Sequence, residues 1–151
     1  MRRTLFPRRG EADHLLVRWP RLAGDPLSWD IQTHDDVTVV VAEGELDVGT
    51  APGLAGELEP LAGAGGHLIL DLSGVRFCDC AGLSLFLRLQ KRAAASGGSL
   101  HLAAPTAPVR RLITLAKLHD VLPVAATVAE VLTVLDETGQ HPETGQRGEV
   151  R

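Results

Sequence analysis

The stretch from His67 to Ala104 constrains the fold more than any other part of this 151-residue chain. It opens on HLILDL, an apolar run of strand length. It continues through a helical pattern from about Asp79 to Ser96, stopped by Gly97 and Gly98, and closes on SLHLAA, another strand. The same alternation extends to both sides. Upstream, WDIQTH and VTVVVAEGEL read as strands, the second apolar enough to lie centrally in a sheet, and TAPGLAGELEPLAG reads as a helix with Thr50 at its N-cap. Downstream, TAPVRRLITLAKL places Val109, Leu112, Ile113 and Ala116 at helical spacing, and PVAA is a brief strand. TVAEVLTVLDE ends the series, with Thr127 and Glu130 in a capping-box pattern. Strands alternating with helices of 11 to 18 residues predict an α/β fold, a sheet layered with helices.

The two ends do not share this pattern. Residues 1–28 contain Pro7, Pro20 and Pro26 and no sustained period, and read as a loose extension. The polar, glycine-punctuated stretch 138–151 reads as a disordered tail. A single domain over 29–137 is the expectation. The formal net charge is −4, but residues 1–21 hold six arginines against Glu11 and Asp13, so a net of +4 there leaves −8 for the rest. An acidic domain with a short basic arm does not suggest a nucleic-acid or membrane-surface binder. Two cysteines do not form a disulfide framework, and no run nears the roughly 18 apolar residues of a membrane span, so a cytoplasmic location is expected.

Several chemistries lack their signatures. There is no Walker loop, no GxGxxG and no GxSxG elbow, and GAGG at 63–66 precedes a strand instead of following one. The six histidines are scattered, and Cys78 with Cys80 offers two thiols where a closed zinc site needs four ligands. Neither catalysis, nor a metal, nor a cofactor is expected. With Leu83 at the origin of a helical wheel, Leu85, Phe86, Leu89 and Ala93 lie in an apolar arc. Ser84, Arg88, Lys91 and Arg92 lie opposite, with Gln90 the one polar residue in the apolar arc. Cys80 falls at the N-terminal end of the polar arc and is expected to be exposed; Cys78, ahead of the helix, is expected to be a small buried hydrophobe.

The motifs HLILDLSGVRFCDCAGLS, GGSLHLAAP and PVRRLITLAKL follow one another as in the STAS domain of anti-sigma factor antagonists, and GELDVGTAPGL resembles that family's earlier segment. The resemblance covers roughly residues 29–137 and implies a small mixed sheet of about five strands with about four helices. It implies a regulatory binder that engages an anti-sigma factor of the ATP-binding serine kinase type and so releases a sigma factor. In that family a serine directly after the helix-opening aspartate is phosphorylated, and the added charge of about −1.5 to −2 breaks the complex. Here that position is Cys80, whose larger sulfur would form only a labile phosphothioester. No stable phosphorylation there is expected.

Three readings of Cys80 stand at this point: a near-isostere that leaves the switch permanently unphosphorylated, regulation moved to Ser84 or Thr50, or redox control. For the last, the helix dipole lowers the thiol pKa while Asp79 raises it. By resemblance the partner footprint takes in Asp47, Thr50, Asp79, Cys80, Ala81 and Gly82, and Ser84 and Arg88 extend it along the exposed arc. Asp47 and Asp79 equally suit turn formation and capping, Gly82 a packing requirement, and Arg88 a solvated face. Asp71 and Ser73 are read as organising a loop at a strand end. Lys117 stands where the family commonly ends its third helix with glycine. The alternative function is a STAS accessory subunit of an ABC-type lipid transporter ATPase; a thiol-dependent enzyme using Cys78 and Cys80 is the remotest reading.

Overall fold

The computed structural model describes residues 17–18 and 26–137. Its elements follow as β1 (Val17–Arg18), β2 (Leu27–His34), β3 (Val37–Leu46), α1 (Ala51–Ala62), β4 (His67–Cys78), α2 (Cys80–Ala95), β5 (Ser99–Ala103), α3 (Ala107–Leu115), β6 (Val124–Ala125) and α4 (Val128–Glu137). The strands form one mixed sheet in sequential order, β1 to β6. Pairing is antiparallel from β1 through β3 and parallel from β3 through β6. The five expected strands and four expected helices are present. The sixth strand is the two-residue β1, which lies within the stretch read as a loose extension; most of that extension and the 138–151 tail lie outside the described residues.

Alternation along β3 and β4 divides the core into two layers. Val40, Ala42, Leu46, Leu68, Leu70 and Leu72 face α1, α2 and α3, where Leu54, Leu58, Phe86, Leu89 and Val109 fill the larger layer. Val37, Val39 and Ile69 face the other way, against Val128, Val131 and Leu135 of α4. Burial on both faces is why these strands read as nearly unbroken apolar runs. A fully buried side chain such as Phe86 contributes on the order of 1.5–3 kcal/mol.

The HLILDL strand does not end at Leu72, as the sequence suggested. β4 continues to Cys78, pairing with β3 across register shifts at Val41/Glu43 and Gly44/Glu45, while its pairing with β5 stops at Asp71. Asp71 is therefore a buried strand residue, not one at the strand's end, and its carboxylate accepts the Ser73 amide at 2.9 Å. Gly74 makes the continuation possible: a Cβ there would lie 2.6 Å from Glu43 Cγ and 2.9 Å from the Ala42 carbonyl.

Helix ends explain two further sequence features. After α2, Gly97 takes a φ of +86°, with the Gly98 amide on the Ala93 carbonyl at 2.8 Å and the Gly97 amide on Ala94 at 3.2 Å. α3 ends in the same motif, but with Lys117 at φ +58°. Its amide donates to Thr114 and that of Leu118 to Ile113. The turn forms with a lysine at the left-handed position. At α4, Thr127 Oγ1 accepts the Glu130 amide, while Glu130 reaches back to the Ala126 amide, both at 3.1 Å.

Candidate functional site

The C-terminal ends of β3 and β4 carry the loop and the helix start that the sequence singled out. Leu46 pairs with Cys78 in register, and the Asp79 amide donates to the Leu46 carbonyl at 3.1 Å. That bond fixes the Glu45–Thr50 loop beside the first turn of α2. Asp79 is in extended conformation at the N-cap, and its side chain accepts the Ala81 amide at 2.9 Å.

Asp47 organises the loop. Its Oδ1 accepts the Gly49 amide at 3.0 Å and the Thr50 amide at 3.1 Å, and lies 3.2 Å from Thr50 Oγ1. Thr50 occupies the N-cap position of α1 but makes no side-chain capping bond, contrary to expectation. Its hydroxyl lies 2.8 Å from the Glu45 carbonyl, to which it donates, and accepts the Asp47 amide at 2.9 Å. Thr106 behaves alike at α3, bonding the Val75 carbonyl at 2.7 Å. The reason is shared: a proline two residues on, Pro52 or Pro108, removes one of the amides that an N-cap oxygen would accept.

Cys80 is an exposed free thiol on the first residue of α2, and Cys78 is a buried one. Burial, then the charge of Asp79 and of Cys80, pushes the Cys78 thiol up to about 12. Its Sγ lies 3.5 Å from the Asp79 carbonyl.

Gly82 is buried, and a Cβ on it would overlap Cys78 Sγ and lie 3.0 Å from Leu46 Cγ. That crowding gives glycine a packing role at this position. Ala81 is half-buried and packs on the larger core layer. Ser84 is exposed one turn beyond Cys80. Arg88 is exposed too, but its Nε donates to Glu59 Oε2 at 3.1 Å, tying α2 to α1.

Two apolar side chains escaped the sequence reading. Val48 is 76% exposed at the tip of the Asp47 loop, and Phe77 is 47% exposed three residues before Cys80. Arg76 and Glu45 add an exposed ion pair at 3.7 Å beside them. The surface thus combines an ordered acidic loop, a capped helix start with a free thiol, and uncovered apolar contacts. Among the described residues no cluster of three or more His, Cys, Asp or Glu is placed to hold a metal ion, and no helix is long and apolar enough to cross a membrane.

Residues 28–131 match the model of the STAS domain, so the chain belongs to the STAS domain family. Among curated relatives, the anti-sigma-B factor antagonist of Bacillus subtilis (strain 168) is 36% identical over 95 residues, spanning 63% of this chain and 86% of that one. Among solved structures, an anti-sigma factor antagonist from Mycobacterium paratuberculosis superposes with a TM-score of 0.65 at 28% identity, covering 72% of this chain and 92% of that one. The anti-sigma factor antagonist SpoIIAA in its unphosphorylated form gives a TM-score of 0.63 at 20% identity, covering 72% and 96%, and shares the fold.

Proposed function

We propose that this protein is an anti-sigma factor antagonist: it binds an anti-sigma factor through the surface around Asp79 and Cys80 and thereby frees a sigma factor. The observation that carries this reading is the Asp79–Leu46 bond, which holds the exposed start of α2 against the Asp47 loop as one continuous surface. Its relatives carry antagonist names. The protein acts by binding, in the cytoplasm, without catalysis. Its partner is an anti-sigma factor of the ATP-binding serine kinase type, and Asp47, Asp79, Cys80 and Ser84 face it, with Val48 and Phe77 as apolar contacts.

Cys80 leaves the switch without a phosphorylatable hydroxyl. Transfer of regulation to Thr50 is disfavoured, because that hydroxyl is engaged by Glu45 and Asp47. Incubation of wild type and Cys80→Ser with the partner kinase and ATP, followed by intact-mass and peptide analysis, tests this. Phosphate is expected on the serine variant at position 80 and absent from wild type there; equal modification of Cys80 would overturn the reading.

A further inference from the structure

The opposite end of the sheet carries a hydrogen-bonded chain that the binding surface does not use. His67 on β4 and Ser99 on β5 are register partners, and His101 follows Ser99 on the same face, the side covered by α4. His67 Nδ1 lies 2.8 Å from Ser99 Oγ, and that oxygen lies 3.0 Å from His101 Nε2. On its far side, His67 Nε2 is 3.7 Å from Asp36 Oδ2, in the β2–β3 turn. The backbone doubles this link, because the His67 amide donates to the Asp36 carbonyl at 2.7 Å. The His67 side chain is 9% exposed.

Proton bookkeeping makes the chain directional. One hydroxyl holds one hydrogen. With both imidazoles neutral, His101 donates its Nε2–H to Ser99, Ser99 donates to His67 Nδ1, and His67 turns its Nε2–H toward Asp36; this assignment follows from the network. The Ser99 hydrogen and the His101 Nε2–H then each meet an acceptor, while His67 Nε2 lies at ion-pair distance from Asp36. With both imidazoles charged, both nitrogens facing Ser99 are donors, and the hydroxyl hydrogen loses its acceptor in a partly buried setting. Two cations would then share one oxygen.

We propose that the His67–Ser99–His101 chain, with Asp36 beside it, is an acid-sensitive latch between β4 and β5, which is complete at neutral pH and weakens as the second imidazole is forced to take a proton and the Ser99 hydrogen loses its acceptor. The groups facing it fit this role. The turn brings Asp36, with Asp35 and His34 paired beside it at 3.5 Å. β4 brings His67 and, further along, Asp71, whose carboxylate holds the Ser73 amide. α4 presents Val128, Val131 and Leu135 to this face, its Glu130 is held by the Ala126 amide, and Asp136 and Glu137 are exposed. Burial, and then the neighbouring His67, lowers the His101 pKa. An unfolded histidine takes its proton near pH 6.5, so the unfolded chain binds more protons than the native one below that pH. Stability is therefore present above about pH 6.5 and lost below it.

Urea unfolding of the full chain between pH 7.5 and 5.0 tests the latch, wild type beside His101→Gln, whose amide can still donate to Ser99. The wild-type midpoint is expected to fall with pH and the variant's dependence to be flatter; equal dependence overturns the proposal. NMR titration of wild type needs no variant. The His101 ring should protonate at lower pH in the native protein than in the urea-unfolded chain, and coincident titrations would sink the latch.

Discussion

Replacing Gly82 with alanine separates two forces at the candidate site. In an open helix the change stabilises, because alanine exceeds glycine in helix propensity by about 1 kcal/mol. Here the new methyl would overlap Cys78 Sγ and stand 3.0 Å and 3.1 Å from Leu46 Cγ and Cδ2. Leu46 is fully buried, so neither neighbour can retreat into solvent. Forcing a methyl into a filled core costs roughly 1–3 kcal/mol, and direct overlap puts this site near the upper end. The net expectation is a loss of about 1–2 kcal/mol. With a urea m-value of about 1–2 kcal/mol/M, the midpoint drops by on the order of 1 M. Adding Cys78→Ala removes the overlapping sulfur, so the double variant should be more stable than the sum of the single effects by about 1 kcal/mol. Equilibrium urea unfolding of the four proteins measures both quantities. A Gly82→Ala protein that is more stable than wild type, or single effects that simply add, would refute the packing account.

Four other expectations follow from individual residues. Lys117→Gly should stabilise by about 1 kcal/mol in thermal unfolding, since Lys117 holds φ +58°, where a side chain is strained and glycine is not. Thiol labelling at pH 8 should modify exposed Cys80 well before buried Cys78, whose thiol is pushed up to about 12. The stabilising effect of the Cys78 proton should be intact below about pH 9 and decline as pH climbs from there toward 12. Thr50→Val removes the hydroxyl that links Glu45 to Asp47, and a loss of about 1 kcal/mol with faster amide exchange at Asp47 is expected.

The layered fold was legible because β3 and the start of β4 are apolar on both faces, a pattern that only a sheet covered on both sides explains. The extension of β4 past Leu72 was not. Ser73 and Gly74 resemble a turn, and only the close approach of β3 shows why glycine serves the strand there. The edge strand Val17–Arg18 is too short to leave a periodic signature. At the site, Asp47 and Asp79 were legible because each bonds within its own turn, where chemistry and spacing suffice. The exposure of Val48 and Phe77 was hidden, since being left uncovered depends on what fails to pack against them. His67, Ser99 and His101 could not be joined from sequence either: strand register sets that contact across 32 residues.

What binds the Asp79–Cys80 surface decides whether the protein is an antagonist. Affinity capture of the tagged protein from its own cells, with wild type beside Cys80→Glu and bound proteins identified by mass spectrometry, measures this. The account predicts an ATPase-type anti-sigma factor recovered with wild type and lost with the glutamate variant, whose charge lies at the exposed helix start. Recovery of a transporter ATPase instead, or of the same anti-sigma factor equally with both proteins, would contradict it.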